Sequence, residues 1–444
     1  MVSSLLASAF FAWTASSPAL AHTSWGGFFG GLPFALPPVG ELRFVPPAAV
    51  DVIDSPTLDA TEYGPACAQM NDAYAEQEQQ TSVTGLASED SLPVMVWIYG
   101  GGFSKGQTST YNGMEIVVQS AIRGEEAARR GALNLGLKDQ LAGLERAQKN
   151  VCTFGGDPTT ATIFGQSAGA ISIADLFLHS KLENLVRAAI FESGSQGTLP
   201  FFNATYRQPT WDALTALLPT CAGFAPNDTF AFAREANTDA LLTAWTQSAA
   251  ELPAVFLWAP VIDGPDGLIP DLPSRLIVTG KFSKIPFISG TNLDEGTPQR
   301  LNSTTDLEDF LFLMTLPFTS TAPKAFKVAV TKLLDLYPSP VAHKAEVPYV
   351  YGEDKLESSN VDIQLLSSAM LDYWLSFATS LTPNDGKGTP RTTWPQYKPA
   401  AQNIVQFDTT AFGNLSFANF AVVPDTYRVE QIAFIRSVAG DLSQ

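Results

Sequence analysis

The segment Gly165-Gln166-Ser167-Ala168-Gly169 sets a serine between an apolar run, Ala161 to Phe164, and a helix-like run, Ala170 to Leu178. A serine on a tight strand-to-helix turn, with glycines where side chains would collide, is presented clear of its neighbours and can attack a carbonyl carbon. A second match, Gly102-Phe103-Ser104-Lys105-Gly106, also follows a strand-like run, Val94 to Tyr99. What comes after it, Gln107 to Gly113, is polar turn chemistry and not a helix. Context selects Ser167.

A serine hydroxyl is a poor nucleophile until a base takes its proton. The chain has only three histidines, so the base is found by elimination. His22 lies near the N-terminus. His179 follows Ser167 by twelve residues, and on one continuous helix it would sit ~18 Å away; it reads as a helix-end residue. His343 remains as the base. An acid must hold the imidazole in its working tautomer. Glu295 is the leading choice, with Asp294 beside it as the rival. The run Ile285-Pro286-Phe287-Ile288 reads as a buried strand, and Ser289 to Gly296 as the polar loop at its end. Strand-end loops are where open parallel sheets carry their chemistry.

The oxyanion formed by such an attack needs donors. Trp97-Ile98-Tyr99 runs into Gly100-Gly101-Gly102, where the backbone carries no side chains and its N–H groups can approach a ligand. The elements that position these groups follow from periodicity. Leu137, Leu141 and Leu144 recur at i, i+4 and i+7, which predicts a helix lying on the sheet ahead of the serine strand. Arg187 to Phe191 reads as the next strand, and 207–250, 306–336, 359–380 and 426–440 as largely helical. No internal repeat, low-complexity tract or linker divides the chain.

Several blocks together resemble the type-B carboxylesterases, the family of cholinesterases and large fungal lipases. Val94 to Phe103 is similar to the family's glycine-loop signature, and Phe154-Gly155-Gly156-Asp157-Pro158 through Gly169 to its nucleophile block. Asp294-Glu295-Gly296-Thr297 resembles the acid block, and His343 to Gly352 the histidine block. Pro37 to Phe44 and Pro424-Asp425-Thr426-Tyr427 match its terminal motifs. The resemblance implies an α/β-hydrolase fold, a central, mostly parallel sheet flanked by helices. It also implies Ser167 as nucleophile, Glu295 as acid and His343 as base, with Gly101, Gly102 and Ala168 donating to the oxyanion. It implies no cofactor and no metal.

The departures from the family are specific. Ser88-Glu89-Asp90-Ser91-Leu92 runs directly into Pro93-Val94, without the strand and loop that relatives carry there. Ile122-Arg123 passes to Gly124-Glu125-Glu126 with no β-rich stretch ending in Asn-Tyr-Arg. A third stretch is absent between Pro338 and Val341. One or more family strands should therefore be missing. In the family's strand order the second loss falls beside the strand ending at Tyr99, whose backbone groups then need other partners. Gln166 stands where the family most often has Glu. Cys67 would pair, in relatives, with a cysteine at the position of Ser91, leaving an odd set of Cys67, Cys152 and Cys221.

Residues 1–21 carry an apolar stretch, Leu5 to Ala15, ending in Ala19-Leu20-Ala21, which reads as a secretory signal peptide although a positive start is lacking. Residues 22–444 read as one domain. Asn203, Asn227, Asn302 and Asn414 lie in glycosylation triplets, a weak sign of secretion. A net charge of −18 argues against nucleic-acid partners, and no later run is apolar over the 18 residues needed to span a bilayer.

The expected activity is a secreted serine hydrolase acting on small-molecule or lipid carboxylic esters through an acyl-enzyme. The competing readings are an inactive product of a truncated chain and a non-catalytic adhesion or binding relative. The segment from Cys67 to Ser91 corresponds to the lid of relatives. It is polar, with only Met70, Tyr74, Val83 and Leu86 as sizeable apolar groups, and reads as a mobile loop without a cystine. It makes a poor interfacial lid, which favours soluble short-chain esters over triacylglycerols, the lipase reading being the alternative.

Overall fold

Near-continuous burial of short apolar runs, covered on both faces, builds the parallel sheet, and period-3.6 burial seats helices on it. The computed structural model describes residues 27–30, 32–50, 82–85, 93–104, 106, 133–179, 181–221, 229–251, 256–292, 349–350, 361–407, 420–427 and 429–437. The strands are β1 (Gly27–Gly30), β2 (Ser82–Gly85), β3 (Met95–Ile98), β4 (Thr162–Gln166), β5 (Ala188–Glu192), β6 (Phe287–Gly290), β7 (Asn403–Phe407) and β8 (Phe420–Pro424). The helices are α1 (Leu135–Asn150), α2 (Ala168–Leu176), α3 (Ala204–Ala216), α4 (Thr229–Glu235), α5 (Thr238–Glu251), α6 (Pro273–Val278), α7 (Val361–Ser380) and α8 (Val429–Ser437).

Strands β3-β4-β5-β6 form a parallel sheet in that order. Register pairs Val96 with Ile163, Gln166 with Glu192, and Glu192 with Gly290. One face carries Val96, Ile98, Ile163, Ala189 and Phe191, against which Leu137 and Leu144 of α1 and Ile173 and Leu176 of α2 pack. The other carries Ala188, Ile190 and Ile288, covered by Leu366, Met370, Tyr373 and Trp374 of α7. Each Ile or Leu taken fully out of water here contributes about 1.5–3 kcal/mol, so the two faces together fix the strand register. The antiparallel pair β7-β8 closes the α7 side through Val405 and Phe420.

A further core lies among α3, α4 and α5, where Phe44 meets Trp211 and Phe230 edge-on at 5.9 Å and the Trp211 indole N–H donates to Thr229 Oγ1. Asn134, in the left-handed conformation that Asn tolerates, opens α1. Its amide exchanges two 2.9 Å hydrogen bonds with the Val261 backbone and ties α1 to this core.

Three local expectations are corrected. The strand expected at 285–288 runs from Phe287 to Gly290, and it is not buried on both faces: Ile288 packs under α7 while Phe287 is 59% exposed. Among the described residues β6 is an outer strand of the sheet, and Phe287 meets the rings of Phe177 and Phe191 there. The polar segment 67–91, read as a loop throughout, contains β2, which takes its ladder partners from β1. The helix after Ser167 starts at Ala168 and stops at Leu176, so His179 is not on it. Among the described residues β3 pairs with β4 alone, on the side away from the expected missing strand. The leader at 1–21, residues 306–336, Glu295 and His343 fall outside the described residues.

Candidate active site

The turn at Ser167 is forced by close approach. A Cβ on Gly165 would stand 2.5 Å from the Ile98 carbonyl oxygen, and one on Gly169 would stand 1.9 Å from the same atom. Only glycine lets the end of β3 lie against both sides of the turn. Ser167 itself adopts φ 53°, ψ −124°, a conformation costly for a side-chain-bearing residue. The surroundings hold it there. Its N–H donates to Glu192 O at 2.9 Å, and its carbonyl accepts the Ile171 N–H at 2.9 Å. Gly194 leaves room for that carbonyl, since a Cβ there would lie 2.6 Å from it.

Ser167 occupies the N-cap position of α2, yet its hydroxyl makes no capping bond. A serine at such a site ordinarily spends its oxygen on the helix. The residue is half-buried, between the fully buried Gln166 and the buried Ala168. Ala168 begins α2, so its N–H belongs to the first turn, where no helical carbonyl accepts it. The helix also directs its positive end at the turn.

The glycine loop abuts the serine directly. A Cβ on Gly100 would be 2.9 Å from Ser167 Cβ and 2.9 Å from Gln166 Oε1. Gly101 and Gly102 take φ of 132° and 63°, backbone that favours glycine, and Phe103 behind them is buried. The structure thus brings together Ser167, Ala168 and the loop carrying Gly101 and Gly102. It does not describe Glu295 or His343. Ser104, the rival serine, donates to Gly101 O at 3.4 Å within the loop. His179 lies three residues beyond the end of α2; its Nδ1 accepts the Lys181 N–H, and burial together with Lys181 pushes its pKa down.

Two residues of this neighbourhood escape the motif search. Glu192 ends β5 at 3% exposure, opposite Gln166, and Trp374 Nε1 of α7 donates to its Oε1 at 2.7 Å. A signal existed: Ala188, Ile190 and Glu192 share one face of a strand, so a charged residue sits in register with core positions. Among the described residues no group of three or more His, Cys, Asp or Glu is placed to hold a metal ion, and no helix is long and apolar enough to cross a membrane.

The family model described as "Carboxylesterase family" matches residues 26–122 and 126–311. The chain belongs to the carboxylesterase family. The match is interrupted at the point where the sequence passes from Ile122 to Glu126 without the Asn-Tyr-Arg stretch. Lipase 1 of Geotrichum candidum is 28% identical over 531 aligned positions, covering 92% of this chain and 92% of its own. A secreted triacylglycerol lipase of Gibberella zeae is 31% identical, covering 70% and 61%. Para-nitrobenzyl esterase of Bacillus subtilis is 28% identical, covering 85% and 90%. Among solved structures, EstA of Aspergillus niger superposes with a TM-score of 0.78 over 95% of this chain and 96% of that one, at 20% identity. The fold is that of an α/β-hydrolase, and the chain is a carboxylic-ester hydrolase.

Proposed function

We propose that the chain is a secreted serine esterase working through a Ser167–His343–Glu295 triad. The observation that carries this reading is the uncapped Ser167 hydroxyl, on a strained turn, with the Gly100 to Gly102 loop pressed against it. Ser167 Oγ attacks the ester carbonyl carbon while His343 takes its proton. Glu295 holds the imidazole and stabilises the imidazolium. The carbonyl oxygen, now negative, is met by the N–H groups of Gly101, Gly102 and Ala168, preorganised so that no reorganisation is needed at the moment of reaction. The tetrahedral species collapses, the C–O bond to the alcohol breaks, and His343 protonates the leaving alkoxide. Water, deprotonated by His343, then attacks the acyl-enzyme and regenerates Ser167.

Hydrolysis of short p-nitrophenyl esters tests this. Ser167→Ala should lower kcat by about 10⁴- to 10⁶-fold with the fold intact. Unchanged activity would overturn the assignment, as would an equal loss in a folded Ser104→Ala variant. The polar segment before Ser91 supports soluble short-chain esters as substrates. The similarity to a relative named as a secreted triacylglycerol lipase supports triacylglycerols instead. Rates on an acyl-length series across the solubility limit decide between them: a sharp rise on emulsified long-chain substrate makes the protein a lipase.

A further inference from the structure

We propose that Arg207 and Thr210 form an anion site on the buried face of α3, one that takes a small carboxylate such as the acid that ester hydrolysis releases. The site is separate from Ser167 and does not rest on the choice of nucleophile. α3 turns Ala204, Trp211 and Leu214 into the core it shares with α4 and α5, and Arg207 and Thr210 lie on the same stripe. Arg207 is 3% exposed, and its Nε and Nη1 are sealed from water with no hydrogen-bond acceptor. Nη2 is the nitrogen of the fork still open, and it shares an edge of the planar guanidinium with each of the other two.

Other guanidinium groups of this chain are met by acceptors. Arg391 donates to Ser376 Oγ and Asp385 Oδ1, and Arg187 to the Ala378 carbonyl. Arg207 has no such acceptor among the described residues, in a chain whose 44 acidic residues outnumber its 26 Lys and Arg. The Phe202 ring, 5.2 Å from the guanidinium carbon, covers one face and leaves the edges unused. Tyr206, stacked on Phe202 at 4.0 Å, brings no counter-charge, because burial pushes its pKa up. Burial pulls Arg207 down to about 10, which still leaves it charged near neutrality. Its place near the N-terminal end of α3 adds to the cost, since the helix dipole there favours an anion.

Thr210 is an independent sign. It is fully buried, and its Oγ1 has no partner. Further along α3, Thr215 donates its hydroxyl to the Trp211 carbonyl at 3.0 Å, the usual outlet for a threonine inside a helix. At i and i+3, the unused hydroxyl and the unused guanidinium are neighbours on the helix surface. A carboxylate fits them: two oxygens for a parallel pair of N–H groups, with a lone pair left for the hydroxyl. An apolar or cationic ligand satisfies neither group.

Thermal unfolding in sodium butyrate, against sodium chloride at equal ionic strength, tests this. The wild-type Tm should rise saturably with butyrate, as binding to the folded state requires. Arg207→Met should weaken butyrate binding about tenfold or more, and Thr210→Val about threefold. No saturable rise in wild type overturns the inference, as does an unchanged response in a folded Arg207→Met. A rise in sodium phosphate with none in butyrate overturns the carboxylate assignment. Should Arg207→Met not be recovered folded, Thr210→Val is read alone, and unchanged butyrate affinity there overturns the site. Ser167→Ala should respond to butyrate as wild type does. A response lost in that variant would put the carboxylate at the serine, overturning this inference and leaving the esterase reading untouched.

Discussion

Two buried carboxylates lie on opposite sides of the elements that carry Ser167, and they are treated differently. Glu192, on the α7 face of the sheet, receives the Trp374 indole N–H and sits in register with Gln166, the residue before Ser167. Asp175, on α2, is 1% exposed, and neither carboxyl oxygen meets a donor among the described residues. Burial therefore pushes the Asp175 carboxyl well above the usual carboxylate range, and the group is held as the neutral acid. The Glu192 carboxyl is supplied with a donor from α7; the Asp175 carboxyl is given none among the described residues, and its burial favours the protonated form. The difference separates an acid tied to a neighbouring helix from one whose burial only costs stability.

The contrast is broken most severely at Trp374. Trp374→Phe removes the donor and leaves a small void, so the Glu192 carboxyl stays in the core with less to hold it. The loss should be about 2 kcal/mol, combining the bond to a buried acceptor with the missing ring volume. Denaturant unfolding measures it. Adding Glu192→Leu should recover part of the loss, because the buried carboxyl deprived of its indole donor goes with it. Strict additivity of the two changes would show that the indole does not hold the carboxylate.

Most of this framework was legible residue by residue. Short apolar runs located β3, β4 and β5 to within two residues, and the leucine spacing placed α1 on the sheet. The glycines flanking Ser167 were legible as a turn; their reason, the Ile98 carbonyl within 2.5 Å of both would-be Cβ atoms, is a contact between segments nearly seventy residues apart. β2 was hidden because Ser82 to Gly85 has no pattern of its own and is a strand only through β1. Phe287 looked like core because its partners across β6 could not be read from local sequence. Glu192 broke a visible period, but that Trp374 would meet it required folding α7 across 182 residues. Asp175 sits in an equally apolar stretch, and nothing local distinguishes a buried acid with a donor from one without.

Removing the ionisable group from Asp175 should act in the other direction from removing the donor at Trp374. Asp175→Asn changes few atoms and abolishes the need to take up a proton on folding. At pH 8 the wild type must bind a proton that its unfolded chain has released, so the variant should be more stable there by about 1 kcal/mol, a Tm rise of a few degrees or less in a chain of this size. At pH 4, where the unfolded acid is largely protonated as well, the difference should vanish. A variant less stable than wild type at pH 8 would mean that the carboxylate has a partner after all.

The smallest effect is expected at Asp139 on α1. Burial pushes its carboxyl up to about 8, but the residue is only part-buried, so water screens it more than Asp175. Its folded value lies above the unfolded value of about 3.9, so the folded chain holds the proton more tightly. The stability this supplies is fully present below about pH 4 and is lost as pH rises from there through about 8; above that the contribution is flat. Wild-type Tm should therefore fall between pH 5 and pH 9 by more than that of Asp139→Asn, and the double variant with Asp175→Asn should show the shallowest slope of all. A slope that neither change alters would leave the pH response to other groups and would remove the distinction between donor-supplied and donor-starved acids on which the contrast with Glu192 depends.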